Sequence, residues 1–459
     1  MCPSISFPVE ELRKITGIAH YEERLLFVLL ALDDPATNLA YLASTMIDPS
    51  VIEYYLSFLS IDQTSARRRL KLFSADDAGE PALCEKLHAQ DARSRLSEVL
   101  GTVEGYLLPF NVTPCEASLA RSLGLELLGA APRLAYLGSK SGARRVARAA
   151  GVHVTDGVED LRSMREVEEA VAAVLRRNPH TERVVIKLNN GFSGQGNAIV
   201  VRGDASLRDR STVFCAAEES WASFATKIAA QGCVVEELVN APDLVSPSVQ
   251  LWVHPGGEVE VLSTHDQILG GPDDQVYLGC RFPAHSDYRS SITEQASKVG
   301  SQLASRGVVG PFGVDFLVRT THPSEVTLSE INLRMGGTTH PFGMARLATG
   351  ARYDEATGDL VAGETRKFYV ATDNLKSTTY VGLKPRDVID EVRAQGLAFD
   401  RLEGTGVTLH LLGALTHFGK LGAVCIGNSM EECDDLFSGF VAAVDALAQR
   451  SSEHDRNRV

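Results

Sequence analysis

The stretch from Val184 to Val201 constrains the fold more than any other part of this sequence. It begins with the apolar residues Val184 to Ile186, continues through Lys187 into a segment rich in glycine, serine and asparagine, and ends with a second apolar run from Ala198. Two apolar runs joined by a polar, glycine-rich connection are typical of a β-hairpin. The sequence therefore predicts an antiparallel strand pair with a lysine close to its tip.

The glycines of this segment, Gly191, Gly194 and Gly196, have the order G-x-x-G-x-G, and the chain leaves them as a strand. In the Rossmann and Walker phosphate loops the glycines lead into a helix instead, so neither loop is supported here. A glycine-rich hairpin can close over phosphates with its backbone N–H groups, while Lys187 adds a positive charge. An ordinary mobile hairpin with an exposed lysine is the alternative, and the segment alone leaves both open.

A second predicted strand pair carries acidic and amide side chains. Asp315 lies within an apolar run, and after a turn Glu330, Asn332 and Arg334 alternate with apolar residues. Successive side chains of a strand point to opposite faces, so these three share a face that Asp315 can reach from the partner strand. Two carboxylates and an amide oxygen are ligands that Mg²⁺ accepts, and arginine can grip an anion. A solvent-facing polar strand is the alternative.

A third strand candidate ends in two consecutive acids, Glu236 and Glu237. A glutamate at such a point can accept a hydrogen bond from an exocyclic amine, while backbone groups at Leu238 read the edge of a purine. Equally, one of the two acids can be paired and the other solvated. The strand taken alone does not decide between these readings.

Composition limits the classes of function that are open to the chain. The 459 residues include 45 Lys and Arg against 59 Asp and Glu, a net charge of −14, so the average surface repels polyphosphate and bulk nucleic-acid binding is not expected. A few local cations and N–H groups can still hold a small anion, because their fields act over a few ångströms. At about 150 residues per domain, the length predicts about three structural units.

The first residues and the apolar runs predict a cytoplasmic protein. The amino terminus has no basic start followed by an apolar stretch, so we expect no signal peptide. The longest apolar run, Leu25 to Leu32, is far shorter than the ~20 residues that cross a bilayer, and we predict a buried strand there. The eight cysteines show no Cys-x-x-Cys pair and no histidine at zinc spacing, so we expect reduced thiols that mostly fill cores.

Periodicity and capping signals predict regular elements elsewhere in the chain. The predicted helices are Ala66 to Phe73, Pro114 to Leu123 with Thr113 as its cap, Ser139 to Ala150, Arg165 to Arg176 and Met430 to Ala448. The strands predicted near the carboxyl terminus are Lys367 to Ala371, Gly406 to Leu412 and Gly422 to Ile426.

In this order and with these gaps, the three motifs resemble the ATP-grasp superfamily of carboxylate–amine ligases, over roughly Ala135 to Gly350. The resemblance implies two lysines that hold the phosphates of ATP, a glycine-rich lid, a strand that contacts adenine, an acid for the ribose, three metal ligands, and a cation near the transferred phosphate. In the same order, these positions fall on Lys140 and Lys187; Gly191, Ser193, Gly194, Gln195 and Gly196; Glu236, Glu237, Leu238 and Val239; Asp243; Asp315, Glu330 and Asn332; and Arg334.

The flanking segments resemble narrower relatives. The amino-terminal part looks like a pre-ATP-grasp domain, and residues 406–413 with 420–427 resemble the extra carboxyl-terminal domain of the pheganomycin-type peptide ligases. We therefore predict an α/β (α+β) fold, with a pre-ATP-grasp α/β domain at 1–134, an ATP-grasp core at 135–350 that clamps ATP between two subdomains, and an α+β extension at 351–459.

The resemblance implies an ADP-forming peptide ligase that uses ATP and Mg²⁺. It would join the carboxylate of a guanidino-bearing, non-proteinogenic amino acid to the amino terminus of a peptide through an acyl phosphate, in peptide antibiotic biosynthesis. No nucleic-acid or membrane partner is expected, and a homodimer is a family-like expectation. The alternatives are a ligase of two free amino acids, a non-catalytic ATP-binding regulatory module, and a phosphotransferase that acts on an alcohol.

Substrate contacts are predicted outside the ATP motifs. The segment after Arg334 is expected to be a loop that faces the acyl phosphate, with Thr338 contacting substrate. His340 in the same loop is expected either to accept a proton or only to brace the loop through a hydrogen bond. Three residues between the adenine strand and the metal hairpin are expected to line the acceptor channel: Gln267, Tyr277 and Arg281.

Overall fold

The structure is a computed structural model that describes residues 1–13, 15–101, 104–191, 196–203, 207, 212–216, 219–270 and 276–456, with side chains described to residue 453. Three residues of the predicted lid, Ser193, Gly194 and Gln195, lie outside the described residues. The described chain divides into two compact units. Unit 1 comprises residues 1–132, 279–283 and 334–459, and unit 2 comprises residues 133–278 and 284–333.

The strands, numbered along the chain, are β1 Leu39–Ala43, β2 Leu70–Ser74, β3 Tyr106–Leu107, β4 Glu126–Leu127, β5 Gly157–Leu161, β6 Arg183–Leu188, β7 Asn197–Val201, β8 Thr212–Phe214, β9 Cys233–Glu237, β10 Leu244–Val245, β11 Pro247–Val253, β12 Val259–Gly270, β13 Val276–Phe282, β14 Gly310–Arg319, β15 His322–Asn332, β16 Arg352–Asp354, β17 Asp359–Ala362, β18 Thr365–Lys376, β19 Gly406–His410 and β20 Lys420–Gly427.

The α-helices are α1 Val9–Leu12, α2 Pro49–Leu56, α3 Gln63–Arg69, α4 Leu83–Leu87, α5 Gln90–Leu100, α6 Pro114–Ser122, α7 Lys140–Ala149, α8 Met164–Arg177, α9 Trp221–Gln231, α10 Ser286–Ser305, α11 Thr339–Thr349, α12 Pro385–Ala394, α13 Leu415–Phe418 and α14 Met430–Arg456. Short 3₁₀ helices cover Pro132–Gly138, Thr378–Tyr380 and Leu412–Ala414, and a longer one covers Ile18–Asp33.

Unit 1 combines the two ends of the chain in a shared hydrophobic cluster. Strands β1 and β2 pair in parallel, and β18 pairs antiparallel with β20, which pairs in turn with β19. Leu29 of the amino-terminal 3₁₀ helix, Leu409 of β19 and Phe440 of α14 belong to the same buried cluster. The two terminal segments therefore exclude water together, while the predicted division at residues 134 and 350 stays a prediction.

The first sheet of unit 2 has the strand order β5-β9-β6-β7-β8, with every neighbouring pair antiparallel. Helix α8 begins at a capping box in which Ser163 and Glu166 satisfy each other's backbone N–H groups. Its residues Val167, Val171 and Val174 recur at helical spacing, and all three belong to the core that forms against this sheet.

In the second sheet of unit 2, β14 lies between β11 and β15, and β12 pairs with β11, all antiparallel. Helix α10 buries Ile292, Ala296, Val299 and Leu303, which lie on one helical face, and it contacts β11, β12 and β15. Helix α7 contacts β5 and β9 of the first sheet and β15 of the second. Helix α7 is thus positioned to bring side chains of the two sheets of unit 2 together.

The α/β fold class is confirmed, and several predicted elements are found. The predicted glycine-rich hairpin is β6 paired with β7, in which Lys187 lies opposite Asn197. Helices α6, α7 and α8 begin or end within a few residues of their predicted limits, and Thr113 caps α6 in a capping box as predicted. No helix in the described part of the chain is long and apolar enough to span a bilayer.

Two predicted elements are wrong. The run from Leu25 to Leu32 is the second half of a 3₁₀ helix instead of a strand, because a short apolar run that is buried on most sides carries no period that separates helix from strand. The predicted helix from Ala66 to Phe73 ends at Arg69, and β2 follows at once. Pairing of β2 with β1 outweighs the helical preference of the basic residues there.

Candidate active site

A cavity of about 300 Å³ in unit 2 collects many of the residues that the sequence motifs predict. Lining it are Lys140 from α7, Lys187 from β6, Glu236 and Glu237 from β9, Leu238, Val239, Gln267 from β12, Asp315 from β14 and Glu330 from β15. These residues are far apart in sequence, and the two sheets of unit 2 supply most of them. The cavity has the size of a site for a small ligand.

Lys140 occupies the first position of α7. The Ser139 hydroxyl caps this helix by accepting from the Gly142 N–H at 3.0 Å. Gly142 is required where it stands, because a Cβ there would lie 1.7 Å from the Tyr136 carbonyl oxygen. From this fixed start of the helix, the Lys140 ammonium lies 2.5 Å from a carboxylate oxygen of Glu330.

Lys187 and Glu236 form an ion pair at the floor of the cavity. In the pairing of β6 with β9, Lys187 lies opposite Val234, so Glu236 is its diagonal neighbour on the same face of the sheet. Glu236 is only 5% exposed. Because Glu236 shares a face of the sheet with Lys187 and Glu237 lies on the other face, the first of the two consecutive acids pairs with the lysine.

Arg144 is a member of the site that the sequence motifs did not indicate. It is 2% exposed, and its guanidinium donates to a Glu236 oxygen at 2.5 Å, to the Thr155 carbonyl at 2.6 Å and to Glu159 at 2.6 Å. The sequence does contain an indication of its place in the site, because Arg144 follows Lys140 by four residues and residues at this spacing share a helix face. The face of α7 that carries Lys140 therefore also carries Arg144.

Charge compensation decides the ionisation of Glu236. Burial alone would raise the pKa of this carboxyl, but the nearby charges of Lys187 and Arg144 and the hydrogen bonds to Lys187 and Thr155 outweigh burial and lower the pKa below its usual value of 4.5. Glu236 is therefore a carboxylate at neutral pH, and its ion pair with Lys187 fixes the position of the lysine ammonium in the cavity that both line.

Asp315, Glu330 and Asn332 meet across the β14–β15 hairpin, as predicted. Asp315 is the cross-strand neighbour of Glu330, and the Asn332 side-chain amide donates to an Asp315 oxygen at 3.0 Å. That hydrogen bond uses the amide nitrogen of Asn332 and leaves its oxygen as a further ligand. Carboxylate and amide oxygens at this spacing fit the donor set of Mg²⁺, which binds hard oxygen ligands.

The segment predicted to contact adenine lines the cavity, with two of its groups already bonded. Glu237 accepts a hydrogen bond from the Thr181 hydroxyl, and the Leu238 N–H donates to the Arg183 carbonyl at 3.2 Å. The Leu238 N–H is therefore already engaged, whereas the Glu237 carboxylate, with two oxygens, can accept further hydrogen bonds. Adenine contact by this segment stays a prediction.

Asp243, the predicted ribose ligand, lies between β9 and β10 and contacts the turn between β14 and β15 instead of lining the cavity. Its carboxylate accepts from the Thr321 hydroxyl at 2.5 Å and from the Arg319 side chain at 3.1 Å. The hydrogen bond from Thr321 is the main cause that lowers the pKa of Asp243 to about 2, with Arg319 contributing. The geometry gives Asp243 a role in holding this turn, and ribose binding stays a prediction.

The base of the predicted lid requires glycine. A Cβ on Gly196 would lie 2.8 Å from the Gly191 Cα, a separation that no side chain allows. The Leu188 N–H donates to the Gly196 carbonyl at 2.9 Å, and the Gly191 N–H donates to the Leu188 carbonyl at 3.1 Å. These contacts close the two strands on each other just below the lid tip.

The remaining predicted residues lie elsewhere among the described residues. Tyr277 is half-buried and is not part of the cavity lining, and Arg281 forms an ion pair with Asp434 at 2.8 Å. Arg334, the residue predicted to stabilise the transferred phosphate, lies two positions beyond β15 in unit 1, with its guanidinium over the ring of Phe7 at 5.7 Å. Its role stays a prediction.

The predicted loop after Arg334 ends at Thr338, and His340 belongs to helix α11 instead of that loop. Thr338 is 5% exposed and precedes helix α11, and His340 is 1% exposed in the first turn of that helix. The His340 ring lies edge-on to Phe27 and 4.1 Å from the His410 ring, and burial lowers its pKa to about 3. An imidazole with this pKa is neutral at pH 7, and a role for His340 in the reaction stays a prediction.

Comparison with known proteins adds independent findings. Residues 132–201 and 206–347 match the family described as "IQCH-like, ATP-grasp", and residues 387–438 match the "PGM1 C-terminal domain". The chain is 32% identical over 457 residues to the L-propargylglycine--L-glutamate ligase of Streptantibioticus cattleyicolor, covering 95% of this chain and 91% of that protein.

Solved structures agree on the fold. The biotin carboxylase of Campylobacter jejuni, in complex with a nucleotide named as β,γ-ATP, is 14% identical with a TM-score of 0.58, over 89% of this chain and 86% of that one. The biotin carboxylase domain of 2-oxoglutarate carboxylase from Hydrogenobacter thermophilus, with MgADP, is 12% identical with a TM-score of 0.56, over 90% and 86%. At these identities the likeness concerns the fold alone.

Proposed function

The chain belongs to the ATP-grasp family and is an ATP-dependent, ADP-forming carboxylate–amine ligase that uses Mg²⁺, and from that premise we propose that it joins the carboxylate of one amino acid to the amine of a second through an acyl phosphate. The L-propargylglycine--L-glutamate ligase, 32% identical over 95% of the chain, supports the choice of two amino acids. The residues of the cavity support the same chemistry independently of this relative.

One observation carries the proposal: two lysines and two metal-type carboxylates line a single cavity of about 300 Å³. Lys140 and Lys187 reach it from α7 and β6, and Asp315 and Glu330 reach it from neighbouring strands. A polyphosphate and the cation that accompanies it need these two kinds of group side by side. A regulatory module that only binds a nucleotide has less need of both.

The proposed reaction balances in two steps. A carboxylate oxygen of the donor amino acid attacks the γ-phosphorus of ATP, and the bond to the β-phosphate oxygen breaks with release of ADP. The amine of the acceptor then attacks the acyl carbon, inorganic phosphate leaves with the bonding pair, and the amine nitrogen loses a proton. Lys140 and Lys187 hold the phosphate oxygens in place and offset their charge, which is mainly a positioning role.

Asp315, Glu330 and the Asn332 oxygen would hold Mg²⁺, which neutralises phosphate charge when it is bound. The chain's own contribution is to fix those oxygens across one hairpin, where Asn332 is bonded to Asp315 at 3.0 Å. Arg144 pairs with Glu236, and Glu236 pairs with Lys187, so both residues help to fix the position of the lysine ammonium. The predicted glycine-rich lid between Gly191 and Gly196, most of which lies outside the described residues, would exclude water from the acyl phosphate.

A second candidate has the same chemistry with a longer acceptor. In it, a guanidino-bearing amino acid is joined to the amino terminus of a peptide, as in the peptide antibiotics. The match of residues 387–438 to the "PGM1 C-terminal domain" and the resemblance of residues 406–413 and 420–427 to the peptide ligases favour it. The two candidates differ only in the acceptor and in the donor side chain.

Product analysis separates the candidates. The purified chain is incubated with ATP, Mg²⁺ and pools of single amino acids, and in parallel with guanidino amino acids and short peptides. Mass spectrometry then identifies any product lighter than its two substrates by one water, and released phosphate is measured in the same tubes. The first proposal expects dipeptides from free amino acids. Products formed only with peptide acceptors support the second candidate, and phosphate release without an amide contradicts both.

A further inference from the structure

Two cysteines and a histidine outside the proposed active site meet in unit 1. The ligand atoms of Cys84, His88 and Cys115 all lie within 4.8 Å of one another. Cys84 belongs to α4, His88 caps its carboxyl end, and Cys115 lies in the first turn of α6. The expectation from sequence that no histidine stands at zinc spacing to a cysteine is wrong here, because the four-residue spacing in α4 puts Cys84 and His88 on one face.

We propose that Cys84, His88 and Cys115 bind one zinc ion, which fastens α4 to α6. Thiolate and imidazole are the ligands that zinc prefers in proteins, and three protein ligands with a water complete its tetrahedron. Two sulfurs bound to zinc at about 2.3 Å lie about 3.8 Å apart. Since the ligand atoms already lie within 4.8 Å, closing on the ion takes a movement of about 1 Å.

Each of the three residues is held by a hydrogen bond that does not use a cysteine sulfur. The Cys84 N–H donates to the Ser4 hydroxyl at 3.0 Å, and the Cys115 N–H donates to the Thr113 hydroxyl at 3.1 Å. The His88 Nε2 lies 3.1 Å from the Cys115 carbonyl oxygen. When Nε2 donates to that carbonyl, Nδ1 carries the lone pair for a metal, and zinc-bound histidines commonly donate their other N–H in this way.

Burial and charge also suit a bound zinc ion. Cys84 is fully buried, whereas His88 and Cys115 are half-buried and give the ion a route in from solvent and a place for water. A divalent ion that displaces both thiol protons forms a site of zero net charge with a neutral imidazole, and burying that site is less costly than burying a lone thiolate.

The test titrates the metal-free full chain with Zn²⁺ in competition with a chromogenic chelator. We expect one equivalent to bind, and we expect Cys115→Ser and His88→Gln each to weaken binding by at least about 100-fold. Both side chains are half-buried, so these variants disturb the fold less than a change at the fully buried Cys84. The matched control is Cys215→Ser, a half-buried cysteine outside the cluster, which should bind zinc as the natural chain does.

Co²⁺ supplies a second readout that does not depend on the chelator. Two thiolates on cobalt give a near-ultraviolet charge-transfer band, and Cys115→Ser should lose about half of its intensity while Cys215→Ser keeps it. Circular dichroism and retained ATP-dependent ligation confirm that each variant is folded. The proposal is overturned if the natural chain binds no zinc at stoichiometric concentration, if Cys115→Ser binds it equally well, or if mass spectrometry finds a Cys84–Cys115 disulfide in the freshly purified chain.

Discussion

The Lys140 ammonium lies 2.5 Å from a carboxylate oxygen of Glu330, and it joins the first turn of α7 to β15. The Lys140 side chain is 10% exposed and that of Glu330 is 27% exposed, and both line the cavity. One is the predicted ligand of a phosphate and the other of a metal ion. Binding of a phosphate and its cation would give each group a new counter-charge, so the pair can separate without leaving either charge uncompensated.

Replacing Glu330 tests the metal assignment. We expect Glu330→Gln to lower ATP-dependent ligation on the order of 100-fold and to raise the Mg²⁺ concentration needed for half-maximal rate, because the amide carries no charge for the cation. Phosphate release at several Mg²⁺ concentrations measures both effects. The control is Glu325→Gln, an exposed position on the same strand. An unchanged Mg²⁺ requirement in Glu330→Gln would show that this carboxylate does not bind the metal.

Lys187 tests the phosphate assignment. Lys187→Met keeps much of the side-chain volume but removes the charge, so the KM for ATP should rise on the order of 100-fold. The variant Lys298→Met, at an exposed ion pair on α10, serves as its control. Steady-state phosphate release against ATP concentration gives the comparison. If Lys187→Met has the ATP dependence of the control, Lys187 does not contact the nucleotide.

Arg144 and Arg145 form a matched pair of neighbours on α7. Arg144 is 2% exposed and bonded to Glu236 and Glu159, whereas the Arg145 side chain is 59% exposed. Arg144→Met leaves the buried Glu236 and the half-buried Glu159 carboxylates without this partner, so we expect a loss of about 3–5 kcal/mol in the free energy of unfolding. Arg145→Met should change it by less than about 1 kcal/mol.

Denaturant unfolding of both arginine variants makes this measurement. The KM for ATP gives a second readout that a purely structural role would leave alone. It should rise in Arg144→Met because Glu236 no longer holds Lys187 in place. Equal stability of the two variants would contradict the placement of Arg144.

The depressed pKa of Glu236 predicts a stability that depends on acid pH. Because the folded pKa lies below the usual 4.5, the carboxylate stabilises the fold above 4.5, and this contribution is lost as the pH falls through the folded pKa. Glu236→Gln should therefore be less stable than the natural chain near pH 7, and the difference should shrink as the pH falls below 4.5 through the folded pKa. Denaturant midpoints across this range measure it, with the exposed Glu294→Gln as control. A pH-independent difference would mean that Glu236 is not ionised in the fold.

Much of this site could be predicted because strand periodicity fixes faces. Alternation along β15 placed Glu330 and Asn332 on one side, and the polar break between two apolar runs predicted the β6–β7 hairpin and the position of Lys187. Both features depend only on residues that are neighbours along one or two strands. They can therefore be predicted without knowledge of the tertiary fold.

The parts that sequence did not reveal depend on distant packing. In the sequence, Arg144 is one of several basic residues of a helix, and its role depends on β9, which places Glu236 beside it in the folded chain. His340 reads as a loop residue, but α11 packs on the 3₁₀ helix Ile18–Asp33 and buries it. Cys84 and Cys115 are separated by α5 and β3, so their meeting also requires the folded chain.

Ligation through an acyl phosphate moves one oxygen of the donor carboxylate to inorganic phosphate, and isotope labelling detects this transfer. A donor amino acid labelled with ¹⁸O in its carboxylate is ligated in ordinary water with ATP and Mg²⁺, and the released phosphate is analysed by mass spectrometry. For a mechanism through an acyl phosphate, we expect one ¹⁸O atom in inorganic phosphate for each amide formed, with ADP as the nucleotide product. Unlabelled phosphate, or AMP with pyrophosphate, would contradict it.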